Sequence, residues 1–190
     1  MRHIHFSKMR KIGSVDDLVE YAQFHAETAL RMVGHVHPTL YAVAPRGLIV
    51  HQPERIETEA DKDYFALESR LVLVAARAFM CAMVLEAWVA RPVGGQLPSK
   101  PSQASNREEV LTVFAESRPD RRFAMFPIKR NLSGEFEKLE EDAATPDITV
   151  DGRFVHLLPP TPLRESEVRA AQVCLESMGI RIGAGGFSPN

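Results

Sequence analysis

The stretch Leu71–Ala90, LVLVAARAFMCAMVLEAWVA, is the longest apolar run in the chain, and every fold open to this sequence must bury it. A bilayer span takes about 20 mostly apolar residues. Arg77 and Glu86 fall inside the run, and an ionised residue near a bilayer centre costs about 2.5–3.5 kcal/mol. The segment upstream, DKDYFALESR, is charged and has no reason to enter lipid. A single helix from Glu59 to Ala90 would far exceed the mean of about 11–12 residues. The remaining reading breaks the run near Ala78. Upstream, Tyr64, Leu67, Leu71, Val74 and Ala78 recur at helical spacing. Downstream, Phe79, Cys81, Met83, Leu85, Ala87 and Val89 fall on one strand face, with Met80, Ala82, Val84, Glu86 and Trp88 on the other. A strand apolar on nearly both faces is central in its sheet and covered on both sides.

The other elements fall around that strand. Ser14 with Asp16 and Asp17 forms an N-cap signal for a helix over 15–33, and Gly34 is its stop. That helix offers Leu18, Tyr21, Ala22, His25, Ala29 and Met32 as one face. Pro45-Arg46-Gly47 separates two β-prone runs and predicts a hairpin. REEVLTVFAES and RRFAMFPIKRN predict a second hairpin about Arg118-Pro119-Asp120, with GEFEKLE as a short extension of the meander and RFVHLL as a further short strand. Pro127 places an edge or a bulge in its own strand. A last helix runs over 165–178, with Val168, Ala171, Val173, Leu175 and Met178 mostly inward.

Strands segregated from helices predict a single α+β domain over 1–190, built on a mostly antiparallel sheet of five to six strands with helices at 15–33, 60–78 and 165–178 packed on it. Residues 1–13 are expected as a loose arm or an edge strand, 91–106 as a long loop and 179–190 as a flexible tail.

Composition narrows the function classes. At 190 residues the chain can bury a proper core. The formal charge of −2 gives a sequence-independent grip on nucleic acid no global support. The two cysteines, Cys81 and Cys174, lie far from any zinc spacing and fit a reducing cytoplasm. MRHIHFSKMRK is basic, but no apolar segment follows it, so it does not read as a secretory signal. A cytoplasmic location and no membrane span are expected.

The sharpest constellation is His35-Val36-His37-Pro38. On a strand, residues two apart share a face, so the imidazoles of His35 and His37 can share a metal ion. These four residues, which follow a helix carrying acidic residues, resemble the HxHP run of JAMM-type metallopeptidases. That family places an SxxD element shortly afterwards. Residues 39–50 contain neither Ser nor Asp, so the activity is not carried over. His51 is the candidate third ligand, and hairpin register decides its position. If Ala44 faces Gly47, His51 opposes Leu40 and points away from His37. If Ala44 faces Leu48, His51 opposes Tyr41 and shares the histidine face.

Glu86 and Trp88 form the second candidate. A carboxylate on an apolar strand has a raised pKa unless paired, and Arg77 and Arg91 are the nearest cations in sequence. Structural pairing ranks first for Glu86, a partner-binding face second and catalysis third, since Trp is enriched at interfaces. The hairpin cations Arg118, Arg121, Arg122, Lys129 and Arg130 form the third candidate. Alternation sets Arg122 and Arg130 on one face with Phe126 between them, as a phosphate- and base-contacting surface would need. Glu108, Glu116, Glu135 and Glu137 offset them, so a solvated face of mixed charge is the expectation. The glycine-rich tail GIRIGAGGF precedes no helix and makes no phosphate cradle. No cofactor is implied. Two functions follow: a non-enzymatic protein acting through macromolecular binding or self-association, and, as the alternative, a metal-dependent hydrolase using His35, His37 and His51.

Overall fold

The computed structural model describes residues 2–4, 6–7, 12–90, 103–140, 152–159 and 161–183. It is an α+β fold in which three helices pack on an antiparallel sheet. In chain order the elements are β1 (Arg2–Ile4), β2 (Phe6–Ser7), α1 (Val15–Val33), β3 (Thr39–Ala44), β4 (Gly47–His51), α2 (Glu59–Ala75), β5 (Met80–Ala90), β6 (Arg107–Ser117), β7 (Arg121–Arg130), β8 (Phe136–Leu139), α3 (Glu165–Ser177) and β9 (Ile180–Ile182). Six strands run in the order β4-β3-β5-β6-β7-β8, and the two-residue β2 is added at the β4 edge. Among the described residues, no helix is long and apolar enough to cross a membrane.

The run Leu71–Ala90 divides into helix and strand. Ala76 caps α2, and Arg77 takes a left-handed φ of 54° that turns the chain out of the helix. β5 then pairs with β3 and β6, and Met80–Val84 are buried. Alternation along β5 divides the core into two layers. Met80, Ala82 and Val84 face α1 with Leu111, Val113 and Phe126, whereas Cys81 and Met83 face α2 and α3 with Leu40, Ile49 and Phe65.

Local signals fix the helix ends. Ser14 Oγ accepts the Asp17 N–H at 3.1 Å, and Asp17 Oδ2 accepts the Ser14 N–H at 2.9 Å, forming a capping box. Gly34 closes α1 in the left-handed region at φ 81° and donates its N–H to Leu30 O. Thr58 and Asp61 cap α2 in the same way.

The helix faces are rotated from those that apolar spacing predicts. α1 buries Val15, Leu18, Val19, Ala22, Ala26 and Leu30 and leaves Met32 outside. In α2 the expected inward residues Tyr64 and Leu67 are exposed, while Glu68 and Ser69 are buried. In α3, Val173 is exposed. The expected strand RFVHLL is not one. Residues 152–159 form turns and bends, held where Glu116 Oε1 accepts the N–H groups of Leu157 and Leu158 at 2.6 and 2.8 Å.

At the chain ends, β1 and β9 pair in parallel through Arg2↔Ile180 and Ile4↔Ile182, and Ile180 is fully buried. β2 takes the edge-strand alternative for the arm. The rest of the expected long loop, 91–102, and the tail from 184 lie outside the described residues. β7 carries an irregularity against β8 between Lys129 and Arg130, close to Pro127.

Candidate functional site

The polar residues gather where α1 stops short of the far end of the sheet. β5 continues six residues beyond Val84, so Glu86 and Trp88, on the α1 side of the strand, project past the helix end. The chain leaving Gly34 crosses this end and delivers His35 and His37 beside Glu86. One hydrogen bond sets the crossing: Glu86 Oε1 accepts the backbone N–H of buried Val36 at 2.7 Å. Burial pushes the Glu86 carboxyl above its ordinary value. Neighbouring Glu109 pushes the same way, while the Val36 N–H, Arg130 and His35 oppose the rise.

Arg130 clamps the site's other side. Its Nε and Nη2 each lie 2.8 Å from a Glu109 oxygen, a bidentate pair, and Nη2 also donates to Gly34 O at 3.1 Å. Glu109 stands opposite Trp88 in the β5–β6 register, and the Arg107 guanidinium lies 4.6 Å over the Trp88 ring. Of the two cations expected beside Glu86, one is placed. Arg77 pairs with Glu165 elsewhere, and Arg91 lies outside the described residues.

His35 and His37 meet directly. Their Nε2 atoms are 3.1 Å apart, and His35 Nδ1 is 3.1 Å from Val33 O. Only a protonated Nδ1 can bond a carbonyl, so in the neutral ring this contact leaves the His35 Nε2 lone pair free to accept. His37 then donates its Nε2–H across the gap. Both rings are exposed.

His51 does not join them. Ala44 faces Gly47 and Leu40 faces His51, so His51 points to the α2 side of the sheet. There it is buried, its Nε2 3.3 Å from Glu68 Oε2 but poorly aimed for a hydrogen bond. Glu68, 1% exposed, also pairs with Arg2. Burial pushes the Glu68 carboxyl up, but His51 and Arg2 outweigh it and leave it below its ordinary value. Glu68 floors a pocket of about 400 Å³ that Arg55, Asp61 and Tyr64 also line. Its place was hidden in the sequence, because a Glu between Leu67 and Arg70 on an amphipathic helix reads as solvent-facing. Among the described residues, no group of three or more His, Cys, Asp or Glu is placed to hold a metal ion.

The remaining sequence candidates separate. Phe126 lies 9% exposed in the α1 layer, so α1 occupies the surface on which a base would stack. Arg122 lies 3.6 Å from Asp16 at the start of α1, and Arg121 3.9 Å from Glu116, one of the acids expected to offset the hairpin cations. No protein family, curated protein or solved structure matches the chain.

Proposed function

We propose that this protein works by binding another protein, in the first instance a second copy of itself, at the end of the sheet beyond α1. One observation carries the reading. Four large apolar side chains stand exposed at that end: Met32 and Val33 at 79% and 60%, Trp88 at 42%, and Leu132, fully exposed in the turn after Arg130. Scattered exposed apolar residues are ordinary, but several around a tryptophan at one end are what an interface core requires. The Arg130–Glu109 pair would form the polar rim. Offset cations and a slightly negative chain favour protein over nucleic acid as the partner. The free thiols Cys81 and Cys174 support a cytoplasmic setting.

The chain's single tryptophan provides the test. Trp88 emission should shift to the blue as concentration rises and the ring leaves water. An emission maximum independent of concentration would count against a second copy as the partner.

The metal-dependent hydrolase is the weaker reading. The convergence of His35 and His37 favours it, but a catalytic zinc typically takes three protein ligands, and His51 lies on the opposite face of the sheet.

A further inference from the structure

We propose that His35 and His37 form half of a binding site for one divalent transition-metal ion of the zinc class, and that the same two histidines of a second copy supply the other half. The inference rests on the proposed self-association at this end and names what would lock it.

Three features of the pair carry it. The first is separation. Two imidazole nitrogens bound to one ion at about 2.0–2.1 Å, with an angle of roughly 90–110° between them, stand about 2.9–3.4 Å apart. The Nε2 atoms of His35 and His37 are 3.1 Å apart. The second is orientation. The His35 Nδ1–H bond to Val33 O is the contact to a backbone carbonyl that orients metal-binding histidines and presents the Nε2 lone pair. His37 needs only to carry its proton on Nδ1 instead of Nε2, which replaces the imidazole–imidazole hydrogen bond by two metal bonds. The third is support. Val36, between the two histidines, is buried and tied to Glu86, so the spacing of the pair is held by the sheet.

The ligand count points to a second copy. Zinc in a closed site takes four ligands, and imidazole nitrogen suits zinc, nickel and copper alike. Among the described residues one chain brings together a pair of ligands and no larger group. The stretch that follows β5, residues 91–102, contains no His, Cys, Asp or Glu. Both histidines are exposed, and Met32 and Val33 immediately before them offer apolar surface for a two-fold contact. Two pairs around one ion complete the tetrahedron.

The experiment is zinc titration of the metal-stripped full-length protein, followed by calorimetry and sedimentation velocity. The expected result is one ion per two chains, with dimerisation tightened at least about tenfold over protein in chelator. His35→Ala and His37→Ala should each abolish the zinc effect, and His51→Ala, if folded, should retain it. Binding of one ion per chain without dimerisation would overturn the proposal. So would a zinc effect that survives both substitutions. If zinc changes nothing while concentration-dependent, Trp88-sensitive association persists, the metal site is wrong and the binding surface stands. If no association occurs with or without zinc, both are wrong.

Discussion

Glu86 Oε1 accepts the backbone N–H of Val36 at 2.7 Å, and this one bond ties the central strand to the segment that carries both surface histidines. Glu86→Ala would leave a buried N–H without its partner, at a cost of about 1–3 kcal/mol. The same substitution should loosen the histidine pair. Chemical denaturation would give the first effect. Broadening of the His35 and His37 ring signals in NMR would give the second. A variant with unchanged stability and ring signals would show that the bond does not position the segment.

The raised Glu86 carboxyl also sets a pH dependence. Between its ordinary value of 4.5 and its higher folded value, the native state holds more proton than the unfolded chain. Stability therefore falls as pH rises through that window. Glu86→Gln removes the titrating group, so the wild type should lose stability relative to this variant from about pH 4.5 upward. Urea melts of both proteins across the window measure the difference. A gap that widens in the wild type's favour would contradict the assignment.

Glu68 should behave in the opposite sense. Its folded-state value lies below the ordinary one, so its stabilising contribution is present above 4.5 and is lost as pH falls through the folded value. Glu68→Ala removes the carboxylate that faces buried His51 and leaves the partly exposed Arg2 with Glu54 alone, and leaving buried polar groups without their partner costs about 1–3 kcal/mol. The midpoint of urea unfolding at neutral pH measures this. A loss below about 1 kcal/mol, as for a surface pair, would show that Glu68 is not buried.

Thiol reactivity separates the two core layers from the surface. Cys174 is exposed on α3 and should react with a thiol reagent in the native protein. Cys81 is buried; desolvation, with Glu116 beside it, pushes its thiol well above the ordinary value. One thiol should titrate in native buffer and both in denaturant. Rapid native reaction of both would place β5 away from the centre of the sheet.

The parts of the fold legible in the sequence were those with local causes. Ser14, Gly34 and the alternation of β5 each act through neighbours in the chain, and the structure has α1 at Val15–Val33 and β5 at Met80–Ala90, one residue on from the expected Phe79–Val89. Long-range partners decided the rest. Spacing alone assigned Tyr64 and Leu67 inward, because nothing near Glu68 announces that Arg2 will pair with it and His51 will face it inside the core. Ile180 and Ile182 showed no periodicity, because a three-residue strand paired with Arg2–Ile4 is too short to display one. The candidate site was half legible. Glu86, Trp88, His35 and His37 were each conspicuous by residue type. Their meeting depends on where α1 ends relative to β5, and the Arg130–Glu109 clamp depends on hairpin pairing.

Binding of a second copy at the end of the sheet beyond α1 can be read by sedimentation velocity. Wild type and Trp88→Glu should be compared over a concentration series with zinc present, after matched thermal melts establish that both are folded. The wild type should pass from monomer to dimer, and Trp88→Glu should need at least about tenfold more protein to do so, as loss of an interface hot spot requires. A wild type that remains monomeric throughout, or a Trp88→Glu variant that dimerises at the same concentration, would contradict it.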